Sequence, residues 1–404
     1  MNICLPMDTV RGRDYYLNSR AAGAVQDIVP ERALLRFREL VRPDGSQRFP
    51  ADFTYFYPLS PHDYMGGMEN MSIETYPLLA FMYLTTACRD NCIGCFAKDF
   101  TPEGGLYSWD VISRSINELS QLGLMAVKFA GRESTLSPNL GKALELAAGN
   151  GLSTALITGG DNLAAHEEQL VNNLDHFRVS LNASSMPRHQ AVQNPSRNAD
   201  DYETRVMNYM RIIAKRRAIG LVSGATFLVR PETADDMFAT ARAAKEIGFD
   251  YLRFLYITPL IESHPQREAL LETIEQEKAR ASGLEDEEFF AFDGVDVSAL
   301  PYGAVKHLDP AYWDPAFHTR VTIFADGKVI ASPDYTMPPF IGRGEGTFGN
   351  LKDQSFAEIW NGAPRRSFLS SINERYALDS GFEQIKFEKL NQILRFIALG
   401  MISE

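Results

Sequence analysis

Pro77-Leu78-Leu79-Ala80-Phe81-Met82-Tyr83-Leu84-Thr85-Thr86-Ala87-Cys88-Arg89-Asp90-Asn91-Cys92-Ile93-Gly94-Cys95 is the stretch on which the fold turns. Its first half, residues 78–85, is an apolar run of strand length. Its second half is a loop carrying three cysteines spaced C-x3-C-x2-C. In parallel α/β sheets and barrels, functional loops leave the C-terminal ends of the strands, and this loop is placed in that way.

The alternation continues downstream. Further strands are expected at residues 124–130, 153–158, 176–182, 221–229 and 251–257, with helical patterns at 109–122, 140–148, 202–218 and 234–247. Short buried runs alternating with amphipathic stretches predict a parallel sheet built from βαβ units. Six units over this length predict an α/β fold, a partial (βα)6 TIM-type barrel; a Rossmann-type sheet satisfies the same periodicity.

Residues 1–74 read as an irregular N-terminal extension, with an aromatic- and Pro-rich segment at 48–64 that suits a wrap around the main domain. Residues 75–300 form the barrel, including a charged helical stretch at 261–284. Residues 301–404 form a small α+β cap. There, 321–324 and 329–331 flank Ala325-Asp326-Gly327-Lys328 as a hairpin, and a helix is expected at 355–361.

Composition narrows the function. The 404 residues are 45% hydrophobic and 23% charged, as in ordinary globular chains, and carry a net charge of −12. Nucleic acid is therefore not an expected partner, because phosphate binding needs clustered Lys and Arg. The first residues lack a basic stretch followed by an apolar run, and the most apolar window, 77–84, is too short to cross a bilayer. A cytoplasmic protein without membrane association is expected.

The cysteines are Cys4, Cys88, Cys92 and Cys95. A clustered trio without a secretion signal points to metal or redox chemistry rather than to disulfides. Three thiolates on one short loop can reach three irons of a cubane cluster, leaving the fourth iron open to a small molecule. The competing reading is zinc, which in structural sites takes four protein ligands. No other cysteine or histidine adjoins the loop, and the next histidine along the chain is His166.

These residues resemble the radical S-adenosylmethionine (SAM) superfamily. The resemblance implies one 4Fe–4S cluster on Cys88, Cys92 and Cys95, with SAM as second cofactor. One electron from the cluster then cleaves SAM to methionine and a 5′-deoxyadenosyl radical, which removes a hydrogen atom from the substrate. Gly131-Arg132-Glu133-Ser134 resembles the family's Gly-Gly-Glu-Pro segment, with Gly131 and Glu133 matching and Arg132 and Ser134 departing. It implies that backbone and acid hold the SAM ammonium group. Thr158-Gly159-Gly160 stands where the family often has Thr-Asn-Gly. Arg178-Val179-Ser180-Leu181-Asn182 resembles a segment that reaches the SAM ribose, which makes Ser180 and Asn182 candidates. Arg230 and Arg253 are candidate partners for a carboxylate of SAM or substrate. Gly94 occupies a position where the family often has an aromatic residue near the adenine, with Phe96 beside it.

Residues 326–332 and 349–361 resemble the SPASM extension, which carries auxiliary clusters in many family members. No cysteine follows Cys95, and Ser332 stands where the first auxiliary cysteine is expected. A cluster-free SPASM-like cap over the barrel mouth is the expectation. Without a second electron acceptor, redox-neutral outcomes are expected: rearrangement, elimination, epimerisation or cyclisation. Cys4 or a tyrosine is a candidate hydrogen donor. The expected substrate is a small polar metabolite such as an amino sugar, cyclitol or nucleoside, because nothing before Tyr76 looks like a leader-peptide-binding module. Maturation of a ribosomal peptide is the alternative, and a non-catalytic metal-binding scaffold is the alternative of another class. The family implies a flavodoxin or ferredoxin as electron donor.

Overall fold

Each apolar run of the central region becomes a strand of one sheet. The computed structural model describes residues 76–77, 79–93, 95, 108–216, 221–286, 288–293, 320–331 and 346–369. The expected N-terminal extension, Cys4 and Ser332 lie outside the described residues.

The strands are β1 (Leu79–Tyr83), β2 (Ala126–Ala130), β3 (Ser153–Thr158), β4 (His176–Ser180), β5 (Val222–Val229), β6 (Tyr251–Tyr256) and β7 (Phe290–Asp293), followed by β8 (Arg320–Ile323), β9 (Lys328–Ile330) and β10 (Thr347–Asn350). They form a ten-stranded sheet in the order β10-β9-β8-β1-β2-β3-β4-β5-β6-β7. From β8 through β7 every pairing is parallel, while β9 and β10 are antiparallel additions. This is the partial-barrel α/β architecture, with its parallel run longer than the six strands read from sequence.

Alternation along the strands decides what faces what. On β1, Ala80 and Met82 join the main apolar core beneath the helices, whereas Leu79, Phe81 and Tyr83 join two smaller clusters on the other face. Phe129, Phe177, Phe227 and Phe254 anchor the main core. Burial stabilises each such side chain by roughly 1.5–3 kcal/mol.

The helices that pack here include α1 (Trp109–Gln121), α2 (Leu140–Gly149), α3 (Glu167–Asn173), α4 (Met186–Val192), α5 (Tyr202–Arg216) and α6 (Met237–Ile247). Ser108 caps α1, its side chain accepting from the Val111 N–H at 3.4 Å. The charged stretch at 261–284 is two helices, α7 (Thr258–Glu262) and α8 (Arg267–Ser282). Pro265, which lacks a backbone N–H, stands between them.

The C-terminal hairpin forms as its turn signal predicts. Helix α9 (Phe356–Trp360) follows it, with a reciprocal Ser355–Glu358 capping box. This unit is tied to α1: Glu118 accepts from the Phe356 and Ala357 N–H groups, both at 2.9 Å. Arg114 donates to the Leu351 carbonyl, and Asn361 donates to the Tyr76 hydroxyl at 3.0 Å.

Candidate functional site

The loop leaving β1 is held from behind. Asn91 N–H donates to the Gln193 carbonyl and Ile93 N–H to the Val192 carbonyl, both at 2.9 Å. Ser196 N–H returns a bond to the Arg89 carbonyl at 2.8 Å, and Asp90 bridges Pro195 antiparallel. The segment after α4 thus forms a short ladder with the loop and fixes its backbone.

Cys88, Cys92 and Cys95 are half-buried free thiols. Burial pushes Cys88 up to about 11 and Cys92 up to about 12, with the negative charge of Asp90 adding to both. A thiolate-binding metal centre must therefore displace protons from these groups. Among the described residues, no three His, Cys, Asp or Glu side chains gather closely enough to hold one metal ion. A single zinc ion needs its ligands within ~2.0–2.3 Å of one point. Thiolates on a cubane bind separate irons and need no such convergence. Three free thiols on one braced loop fit the cluster.

The loop after β2 lies beside this one. Gly131 has φ +116°, and a Cβ there would lie 2.8 Å from the Tyr83 ring, so both backbone and space require glycine. Glu133 N–H donates to the Ala87 carbonyl at 3.1 Å, joining the two loops. The Glu133 side chain is buried. It accepts from the hydroxyls of Thr135 and Thr158, each at 2.6 Å, and from Gly159 N–H at 2.7 Å. Burial raises its pKa and these donors oppose the rise. The carboxylate proposed from sequence for a ligand's ammonium group is thus aimed at its own loops.

The other sequence candidates divide. Ser180 is half-buried at the C-terminal end of β4, in register with Thr226 on β5, which pairs in turn with Arg253 on β6. Arg253 is buried within its strand rather than at the strand end. The Asn182 side chain accepts from Leu228 N–H at 3.0 Å and so joins β4 to β5. Arg230 follows β5 directly and pairs with Glu232 at 3.1 Å.

Sequence reasoning missed Asp90 and Arg205. Arg205 Nη2 donates to Asp90 Oδ1 at 2.6 Å and Nη1 to Asp90 Oδ2 at 2.7 Å, with side-chain exposures of 1% and 4%. A signal was available. Arg205 sits on the same face of α5 as the buried residues Tyr209, Ile212 and Ile213, where a solvent-facing arginine does not belong.

A family model described as the radical SAM superfamily matches residues 82–274, and one described as an iron-sulfur cluster-binding domain, SPASM, matches residues 316–380. The PqqA peptide cyclase of Gluconobacter oxydans (strain 621H) is 24% identical over 304 residues, covering 73% of this chain and 79% of that protein. Among solved structures, Streptococcus suis SuiB bound to S-adenosylmethionine superposes with a TM-score of 0.58 at 12% identity, over 82% of this chain and 75% of SuiB. The structure of anSMEcpe with bound AdoMet gives 0.53 at 13% identity, over 81% of this chain and 98% of that one. Both likenesses show a shared fold.

Proposed function

The chain is a radical SAM enzyme with a SPASM-type C-terminal domain, and from that premise we propose that it modifies a peptide. One observation carries the choice of substrate: the relative spanning most of both chains is a peptide cyclase. SuiB, which shares the fold, has been solved with its precursor peptide SuiA. The small polar metabolite expected from sequence finds no such support among the relatives.

Membership implies an iron–sulfur centre and SAM as cofactors. We assign the centre to Cys88, Cys92 and Cys95, and SAM to the mouth formed by the loops after β1, β2 and β3 and the end of β4. When bound, the cluster supplies the electron that cleaves SAM and so starts hydrogen abstraction. Everything else falls to the chain. Gly131, with φ +116° and the Tyr83 ring against it, lets the second loop turn in the space beside β1. Glu133 acts by locking the second and third loops together, not by reaching outward. Ser180 and Arg253 offer polar contacts to SAM or substrate, Arg253 to a carboxylate. Asn182 and Arg230 keep the rim in shape through Leu228 and Glu232.

With no cysteine after Cys95, the C-terminal domain has no thiolate for a further cluster. One cluster per chain is therefore proposed, with redox-neutral chemistry favoured and a one-electron donor of the flavodoxin or ferredoxin class supplying the input. No helix among the described residues is long and apolar enough to cross a membrane.

The test compares two pools in the presence of reconstituted enzyme, dithionite and SAM. One holds precursor-type peptides including PqqA; the other holds amino sugars, cyclitols and nucleosides. Faster 5′-deoxyadenosine formation with peptides, and a changed retention time or fragmentation pattern in one of them, is the expected result. Acceleration by the small-molecule pool alone would overturn the peptide assignment.

A further inference from the structure

The cysteine loop, the loop after β3 and the segment before α5 converge on one side chain that no sequence motif marks. Arg205 makes four bonds with its planar fork: Nε donates to the Asp200 carbonyl at 2.8 Å, Nη1 to Asp90 and to the Gly159 carbonyl at 2.9 Å, and Nη2 to Asp90. Asp90 lies inside the cysteine loop, between Cys88 and Cys92. Gly159 lies in the loop after β3, and its N–H donates to Glu133 in the loop after β2. A Cβ on Gly159 would stand 3.2 Å from both Asp90 Oδ2 and Glu133 Oε2, so the junction has no spare room. Lysine has no fork and could not make these bonds together.

A buried ion pair of this kind is a poor source of stability, because desolvating two charges offsets most of their attraction. Its placement suggests another use. We propose that Arg205 is the positioning residue of the cysteine loop, holding Asp90 in place and screening that carboxylate's charge from the iron–sulfur centre. This rests on the assignment of Cys88, Cys92 and Cys95 as ligands of that centre. Asp90 stands two residues from both Cys88 and Cys92, so its carboxylate lies within the loop that carries the ligands. Groups behind the ligands of metal centres commonly tune both affinity and potential.

The sign of the effect separates charge from mere scaffolding. Reduction adds an electron to the cluster, so an unscreened carboxylate opposes it and a removed one favours it. The experiment is a redox-poised EPR titration of the reconstituted full chain, with iron content measured in parallel. Arg205→Gln is expected to lower the midpoint potential and Asp90→Asn to raise it, with the double variant returning close to the wild type. Arg205→Gln should also slow 5′-deoxyadenosine formation by roughly tenfold to a hundredfold. Potentials that stay unchanged, or move the same way, in iron-loaded single variants would overturn the inference alone. If Arg205→Gln does not fold, Asp90→Asn decides the sign by itself. A wild-type chain that takes up no cluster would overturn the cysteine assignment, and this inference with it.

Discussion

At the scale of single residues, the site is held together by carboxylates that face inward. Glu133 takes three bonds of 2.6–2.7 Å from donors on two loops. Glu133→Gln replaces one acceptor oxygen by an NH2 group that meets donors. The metal-free protein should lose about 1–3 kcal/mol in denaturant unfolding, the range for a buried polar group left unsatisfied. An unchanged midpoint would show that the carboxylate is dispensable to the loops. His189, buried against Tyr202, is a titratable base rather than an acid. Burial first, then the positive charge of Arg205, lowers it to about 4 from 6.5. Between those two values the unfolded chain binds a proton that the folded chain refuses. Its contribution to stability is therefore complete above pH 6.5 and is lost progressively as pH falls toward 4. Thermal melts of the metal-free protein should show a shallower decline over that window in His189→Gln; parallel curves would rule His189 out as the source.

At the scale of elements, the informative contacts are long-range ones. The strand cores were legible because runs such as Leu79–Tyr83 are apolar throughout and Val222–Val229 is mostly apolar with a β-branched residue at each end. The cysteine loop and the Gly131–Glu133 loop were legible as motifs. The pairing of β8 with β1 was not. Arg320–Ile323 reads as half of a local hairpin, which it is, and nothing local says that its other edge joins a strand some 240 residues earlier. Strand β7 was missed because four residues are too few for a period to stand out. The Asp90–Arg205 pair spans 115 positions, and only the misplaced charge on an apolar helix face hinted at it. Glu118 illustrates how such contacts dock whole elements, since its carboxylate accepts the first N–H groups of α9. Glu118→Ala should cost about 0.5–2 kcal/mol, as for a lost helix cap. Hydrogen exchange should quicken at Thr347–Asn350 and Phe356–Trp360 while β3 to β5 stay protected. Uniform exchange across the chain would contradict this local docking.

At the scale of the whole molecule, the C-terminal domain is built onto the barrel's sheet: its first strand continues the parallel order and its helix rests on α1. The segment after α4 braces the cysteine loop from behind, so the proposed metal centre sits on a fixed backbone. The proposed function stands or falls on the metal centre at Cys88, Cys92 and Cys95. The most direct measurement is anaerobic reconstitution with iron and sulfide, then dithionite and SAM, with iron content and 5′-deoxyadenosine determined together. About four irons per chain and 5′-deoxyadenosine formation are expected, both lost when Cys88, Cys92 and Cys95 are all changed to alanine. Bound zinc, or a cluster that forms and never cleaves SAM, would contradict the proposed function.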